Sequence, residues 1–205
     1  MANPSPLLKP TLPVTLDGTI VRLEPLEIRH AADLFVAGEE ATIWTWLTRG
    51  PFADLADVEV WIRQAHDARE RGEHLPFAIV HRADGRAIGS TRYLDIQPES
   101  GNLEIGWTWL GAAHQRTAVN TECKWLLLRH AFETLGAVRV QLKTDLRNER
   151  SQRAIERLGA VREGVLRRSR VTRGGYIRDT VVYSILAEEW PAVGERLAAR
   201  LRREG

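Results

Sequence analysis

Residues 103–128 carry the pattern with most chemical content. Leu103-Glu-Ile-Gly-Trp-Thr-Trp-Leu is followed by a short loop, then by Gln115-Arg-Thr-Ala-Val-Asn-Thr-Glu and an apolar run. This reads as a strand, a loop and a helix. A helix entered from a strand in this way presents unpaired backbone N–H groups and the positive end of its dipole, a ready site for an anion such as pyrophosphate. Every strand-to-helix turn has that property, so the turn alone assigns no ligand. A second feature is charge: from Arg147 to Arg178 there are ten arginines against Glu149, Glu156 and Glu163, a local surplus of seven. Such a block is either a solvated helix face with exposed strand positions or a surface that meets phosphate groups.

Other chemistries lack their residues. No Gly-x-x-x-x-Gly-Lys-Ser/Thr is present, no Gly-x-Gly-x-x-Gly follows a strand, and no His-Glu-x-x-His occurs. The six histidines are scattered, and no metal site is expected. His130 shares an apolar helix face with Cys123, so both read as core. A single cysteine makes neither an internal disulfide nor a thiolate zinc site. The pI is about 9.0, yet the net charge is only +2, too little for a generic polyanion binder. Neither a nucleic-acid nor a membrane partner is therefore expected. Apolar runs such as residues 125–128 fall far short of the roughly 20 residues of a membrane span. The prolines at 4, 6, 10 and 13 do not compose a signal-peptide core, so a cytoplasmic location is the expectation.

The elements that must position these residues follow from periodicity. Residues 1–14 read as a loose Pro-rich arm and 15–205 as one domain. A strand begins at Thr15, with an Asp17-Gly18 turn near its start. Helical spacing at Ile28, Ala31, Leu34 and Phe35 stops at Gly38, and a second helix covers 55–71. Between them, Trp44-Thr-Trp46-Leu reads as a loop. Runs at 77–81, 87–96 and 103–110 with short connections predict an antiparallel meander. A helix over 120–135 and a strand over 137–143 come next. A helix over 148–158 has Asn148 as N-cap and Gly159 just beyond its end. Strands over 161–171 and 176–186 and a helix from Ala187 complete the chain. The fold class is α+β: a mixed, mostly antiparallel sheet of about seven strands flanked by helices.

Three motifs together resemble a known family. Glu104-Ile-Gly-Trp, Gln115-Arg-Thr-Ala-Val-Asn-Thr-Glu and Asn148-Glu-Arg-Ser-Gln-Arg-Ala-Ile-Glu-Arg-Leu-Gly are similar to the GNAT superfamily of N-acetyltransferases, and most to its ribosomal-protein-alanine branch. The likeness runs from about Thr15 to Trp190. It implies acetyl-CoA as cosubstrate, held at the pyrophosphate by a loop of pattern Gln/Arg-x-x-Gly-x-Gly/Ala. Here that loop is Gln115, Arg116, Thr117, Ala118, Val119, Asn120 and Thr121. Ala118 and Asn120 depart from the glycines, which elsewhere allow close backbone approach and unusual dihedrals.

The resemblance further implies that the strand over 103–110 splays from its neighbour, so that pantetheine amides add to a free edge at Trp107, Thr108 and Trp109. The two indoles are expected on opposite faces of the sheet. Glu104 would be the base for the ammonium proton, and Ser151 would assist the departing thiolate, since no tyrosine lies between Tyr93 and Tyr176. Asn148 and Arg153 would join the cofactor site, and Trp44 and Trp46 would either line the acceptor pocket or pack in the core. The acceptor would be a primary amine, on a small molecule or a protein N-terminus, and a homodimer is a family-level expectation. The rival reading is a non-catalytic CoA-binding module.

Overall fold

A computed structural model describes residues 8–204. Eight strands form one sheet: β1 (Leu16–Asp17), β2 (Val21–Pro25), β3 (His74–His81), β4 (Ala87–Gln97), β5 (Asn102–Leu110), β6 (Arg139–Asp145), β7 (Val161–Val171) and β8 (Ile177–Leu186). Their spatial order is β1-β2-β3-β4-β5-β6-β8-β7. Five α-helices flank it: α1 (Ala31–Ala37), α2 (Leu55–Glu70), α3 (Ala118–Arg129), α4 (Glu149–Leu158) and α5 (Trp190–Glu204). The eighth strand arises because the turn at Asp17-Gly18 splits the first run into a two-residue β1 hydrogen-bonded back on β2.

The loose arm expected over 1–14 differs where it can be described; residues 1–7 lie outside the described residues. Leu8 is buried in the main core, its N–H donates to the Pro98 carbonyl, and the Lys9 N–H donates to Leu135. One apolar anchor and two backbone bonds tie the segment across the end of the sheet.

Each face of the sheet has its own core. On one, Ile105, Val140, Leu142, Val181, Tyr183 and Ile185 pack against α3, α4 and α5 through Cys123, Leu126, Leu127, Ile155, Leu158, Val193 and Leu197. On the other, Ala78, Val80, Ala87 and Trp109 meet α1 and α2 through Leu34, Val58, Ile62 and Ala65. Side chains alternate between faces along a strand. Glu104, Lys143, Asp145, Arg178 and Thr180 therefore fall on the face opposite α3–α5.

Every neighbouring pair of strands is antiparallel except β5 and β6. That parallel pair bonds over three positions, Asn102, Leu103 and Glu104 against Arg139, Val140 and Gln141, and then separates. Beyond Glu104 the facing edges of β5 and β6 are unpaired by sheet bonds, which opens a V through the middle of the sheet.

Candidate active site

The V widens into a cleft of about 740 Å³ that passes through the sheet. Its walls are β5 from Glu104 to Leu110, the start of α3, β6 at Leu142 to Thr144, one side of α4, and the β7–β8 pair. On β5 the strand carries a bulge: Arg92 pairs Gly106 and Ser90 pairs Trp109, so Trp107 and Thr108 together oppose Thr91. Trp107 takes a left-handed φ of 49° there. The extra residue re-aims the strand, and the Thr108 hydroxyl meets those of Thr91 (2.8 Å) and the Lys124 ammonium.

The two indoles do not take opposite faces. The Arg92 guanidinium lies over both the Trp61 ring (5.6 Å) and the Trp107 ring (4.6 Å), and Trp61 packs edge-on to Trp109 at 6.4 Å. The bulge breaks the alternation of β5 at this point, and these contacts put both rings on the α2 side. Trp109 is buried with Trp44 and Phe52, while Trp107 is 37% exposed at the cleft.

Glu104 lies at the apex of the V. Its carboxylate is nearly buried and pairs with Lys143 Nζ at 2.9 Å, from the first β6 residues beyond the parted ladder. Gly106, two residues on, keeps the space open. A Cβ there would lie 2.9 Å from Glu104 Oε1 and 2.9 Å from Leu94 Cδ2. Spacing along one strand explains Glu104 and Gly106, but Lys143 depends on which strand β6 adjoins and was not foreseen.

The loop after β5 is braced from within. Gln115 Nε2 donates to the Leu110 carbonyl at 3.0 Å, and Arg150 Nη1 on α4 donates to Gln115 Oε1 at 3.0 Å. Arg116 sits in the left-handed region (φ 63°). Thr117 caps α3 by accepting from the Val119 N–H. Ala118 and Asn120 are the first and third residues of the helix, without positive φ, so the backbone there needs no glycine. Gln115, Arg116, Thr117, Ala118, Asn120 and Thr121 line the cleft, whereas Val119 turns into the core.

Across the cleft, Asn148 caps α4 by accepting the Ser151 N–H at 3.1 Å, and both residues line the opening. Arg153 does not. It points along the helix surface to Glu149 at 3.0 Å, an i,i+4 pair. Arg150 and Arg157 are the arginines of this helix that reach the cleft. Of the two early tryptophans, Trp46 lines the cleft, with Arg147 at 5.3 Å from its ring and 3.5 Å from the Tyr176 ring. Trp44 is core: it is 3% exposed, and its Nε1 donates to the Gly38 carbonyl at 2.7 Å. Its burial follows from Phe52 and Trp109, which close around it.

Eight cations line the cleft, Arg116, Lys124, Lys143, Arg150, Arg157, Arg170, Arg178 and Arg200, against one acid, Glu104. Lys124 is buried without a carboxylate partner among the described residues, and desolvation pushes its ammonium pKa down. Cys123, its neighbour, is fully buried, and burial lifts the thiol from an ordinary 9.0 to about 11, which makes it a poor nucleophile. Among the described residues no group of three His, Cys, Asp or Glu is arranged to hold a metal ion, and no helix is long and apolar enough to cross a membrane.

A strand parts from its parallel neighbour, bulges at the opening and feeds a helix N-terminus, and the chain that builds this cleft is similar to known proteins. Residues 21–161 match the family described as the acetyltransferase (GNAT) domain. The chain belongs to the GNAT acetyltransferases. It is thus an acyltransferase enzyme. A crystal structure of a GCN5-related N-acetyltransferase from Brucella melitensis superposes with a TM-score of 0.90 at 32% identity, covering 97% of this chain and 90% of that one. The uncharacterized N-acetyltransferase p20 of Bacillus licheniformis is 25% identical, over 82% of this chain and 93% of its own length. YdaF of Bacillus subtilis (strain 168), named for ribosomal N-acetyltransfer, is 27% identical, over 84% of this chain and 92% of its own.

Proposed function

We propose that the cleft takes acetyl-CoA and passes its acetyl group directly to a primary amine. The observation that carries this is the parting of β5 from β6 just past Glu104, which leaves a bulged, unpaired strand edge facing the N-terminus of α3. The residues present fit the cofactor. The edge at Trp107, Thr108 and Trp109 offers backbone groups to the pantetheine amides. The first N–H groups of α3, with Arg116, Arg150 and Arg157 nearby, suit a pyrophosphate. The thioester supplies the activated acetyl group.

The chain's own residues then have separate tasks. Glu104 accepts the ammonium proton, directly or through a water, and Lys143 fixes the orientation of its carboxylate. A backbone N–H of the bulged strand stabilises charge developing on the carbonyl oxygen. Ser151, in the first turn of α4, donates a hydrogen bond to the departing thiolate. Lys124 holds the Thr108 hydroxyl from beneath and adds positive charge to the cofactor side. Attack is direct, since Cys123 is buried and protonated. The acceptor is a small-molecule amine or a protein N-terminus; the name of the YdaF relative supports the latter.

Calorimetry and thermal melting with acetyl-CoA, followed by thiol release in the presence of amines, test this reading. Binding should raise the melting temperature, because acetyl-CoA selects the folded state, and an accepted amine should release thiol in equal amount to acetylated product. No heat and no shift at millimolar acetyl-CoA would sink it. Binding without thiol release across amines and N-terminal peptides would leave a CoA-binding module.

A further inference from the structure

At the end of the cleft formed by β7 and β8, an exposed arginine and a half-buried one lie side by side. Arg170 on β7 and Arg178 on β8 are directly opposed in the antiparallel ladder, and both line the cleft. Like charges opposed across two strands destabilise the pairing. Neither guanidinium makes an ion pair with a carboxylate among the described residues; Arg178 Nε donates to Thr180 Oγ1 at 3.0 Å. Arg178 is half buried, and desolvation, with repulsion from Arg170, lowers its pKa although Asp145 and Glu104 oppose that shift. The nearby acids are already engaged: Asp145 receives Arg147 Nε and Nη2 at 3.1 and 3.0 Å, and Glu104 receives Lys143.

Position separates this pair from the cofactor's phosphates. Val181, Tyr183 and Ile185 of β8 face α3–α5, so Arg178 and Thr180 face the other way, toward the side on which Glu104 and Lys143 lie. The α3 N-terminus and the α4 arginines belong to the α3–α5 side. Thr180 is buried, and its hydroxyl meets that of Ser169 at 2.6 Å, so two hydroxyls floor the space beside the guanidiniums. The chain also spends backbone strain here: β7 is bulged between Leu166 and Arg170, with Arg168 at φ 48°.

We infer that the acceptor is an amine that also carries an oxyanion, a carboxylate or a phosphate, which bridges Arg170 and Arg178 while the amine lies at Glu104. An anion between the two guanidiniums removes their repulsion and forms charge-assisted hydrogen bonds to both. It would also orient the amine, since Glu104 lies on the same face and close enough to act electrostatically on Arg178. This inference rests on the acetyl-transfer reading above.

Matched acceptors test it. Calorimetry on the wild-type protein saturated with CoA would compare O-phosphoethanolamine with ethanolamine, and β-alanine with propylamine. The anionic member of at least one pair should bind about tenfold tighter or more, the scale of one good charge-assisted contact. The pair with the larger ratio identifies phosphate or carboxylate as the preferred anion. In Arg170→Gln and Arg178→Gln the ratio should collapse toward one. Inorganic phosphate should compete with the anionic amine and not with acetyl-CoA, a readout on the wild type that does not depend on either variant folding. Equal binding of charged and neutral partners, no binding of either, or competition of phosphate with acetyl-CoA alone would overturn the inference. Failure of acetyl-CoA itself to bind would instead overturn the acetyl-transfer reading.

Discussion

Glu104 and Glu122 are both nearly buried carboxylates beside a glycine, and they are partnered in opposite ways. Glu122, on α3, accepts four hydrogen bonds from the β1–β2 turn: the Thr19 N–H and hydroxyl on one oxygen, the Ile20 and Val21 N–H groups on the other. A Cβ on Gly18 would lie 2.5 Å from Glu122 Oε2. Turn, helix and carboxylate are locked together, and neither the turn nor Glu122 lines the cleft. Glu104 is held by Lys143 from one side and otherwise opens into the cleft, with Gly106 leaving its flank clear. Complete satisfaction by the donors of one turn, three backbone N–H groups and a hydroxyl, marks a charge that builds the fold. Partial satisfaction at a cleft marks one that waits for a partner.

Separate loss of turnover and of stability is the sharpest way to break that contrast. Glu104→Gln should lower kcat by the ~10²–10⁴-fold typical of a general base while leaving acetyl-CoA affinity and melting temperature near wild type. The loss should shrink at high pH, where the amine is already neutral. Wild-type turnover by the folded variant at neutral pH would remove the base assignment. Glu122→Gln should do the reverse. One of its two oxygens becomes an NH₂ that confronts backbone donors, which costs about 3 kcal/mol in denaturant unfolding. Turnover by the fraction that folds should persist.

The glycines give a smaller version of the same split. Gly18→Ala pushes a methyl into the Glu122 carboxylate and should lower stability by about 1–3 kcal/mol, as overpacking does. Gly106→Ala displaces Glu104 and should reduce kcat several-fold, whereas Gly18→Ala should leave kcat near wild type; equal turnover in the two variants would erase the distinction. Cys123 gives the smallest effect. Its thiol pKa is raised by burial to about 11, so the folded state holds its proton where the unfolded chain has lost it. Stability should therefore be whole below about pH 9 and decline as pH rises toward 11. Cys123→Ala should flatten that decline in alkaline unfolding curves and leave turnover intact.

Much of this was legible in the chain because it is local. Helix α4 announces itself through Asn148 at its start and Gly159 at its end, and the β3–β5 meander through short connections between apolar runs. Glu104, Gln115 and Ser151 were legible as motif positions, and all three line one cleft. What escaped was set by contacts distant in sequence. Glu122 works on residues a hundred positions earlier. Lys143 reaches the cleft because β6 adjoins β5, and Arg170 and Arg178 reach it because β8 lies between β6 and β7, an order that periodicity does not encode. Trp44 left the pocket for the core because Phe52 and Trp109 surround it, and Arg153 left because Glu149 one turn earlier captures it.

Amide hydrogen exchange, with and without acetyl-CoA, probes the account at its centre. The amides of Thr19, Ile20 and Val21, already bonded to Glu122, should be protected to the same degree in both states. The amides of Trp107, Thr108 and Trp109, and those of residues 117–120 at the start of α3, should become markedly slower when acetyl-CoA is added. Protection confined to other segments, with the β5 edge and the α3 N-terminus unchanged at saturating acetyl-CoA, would contradict the assignment of this cleft as the site of acetyl transfer.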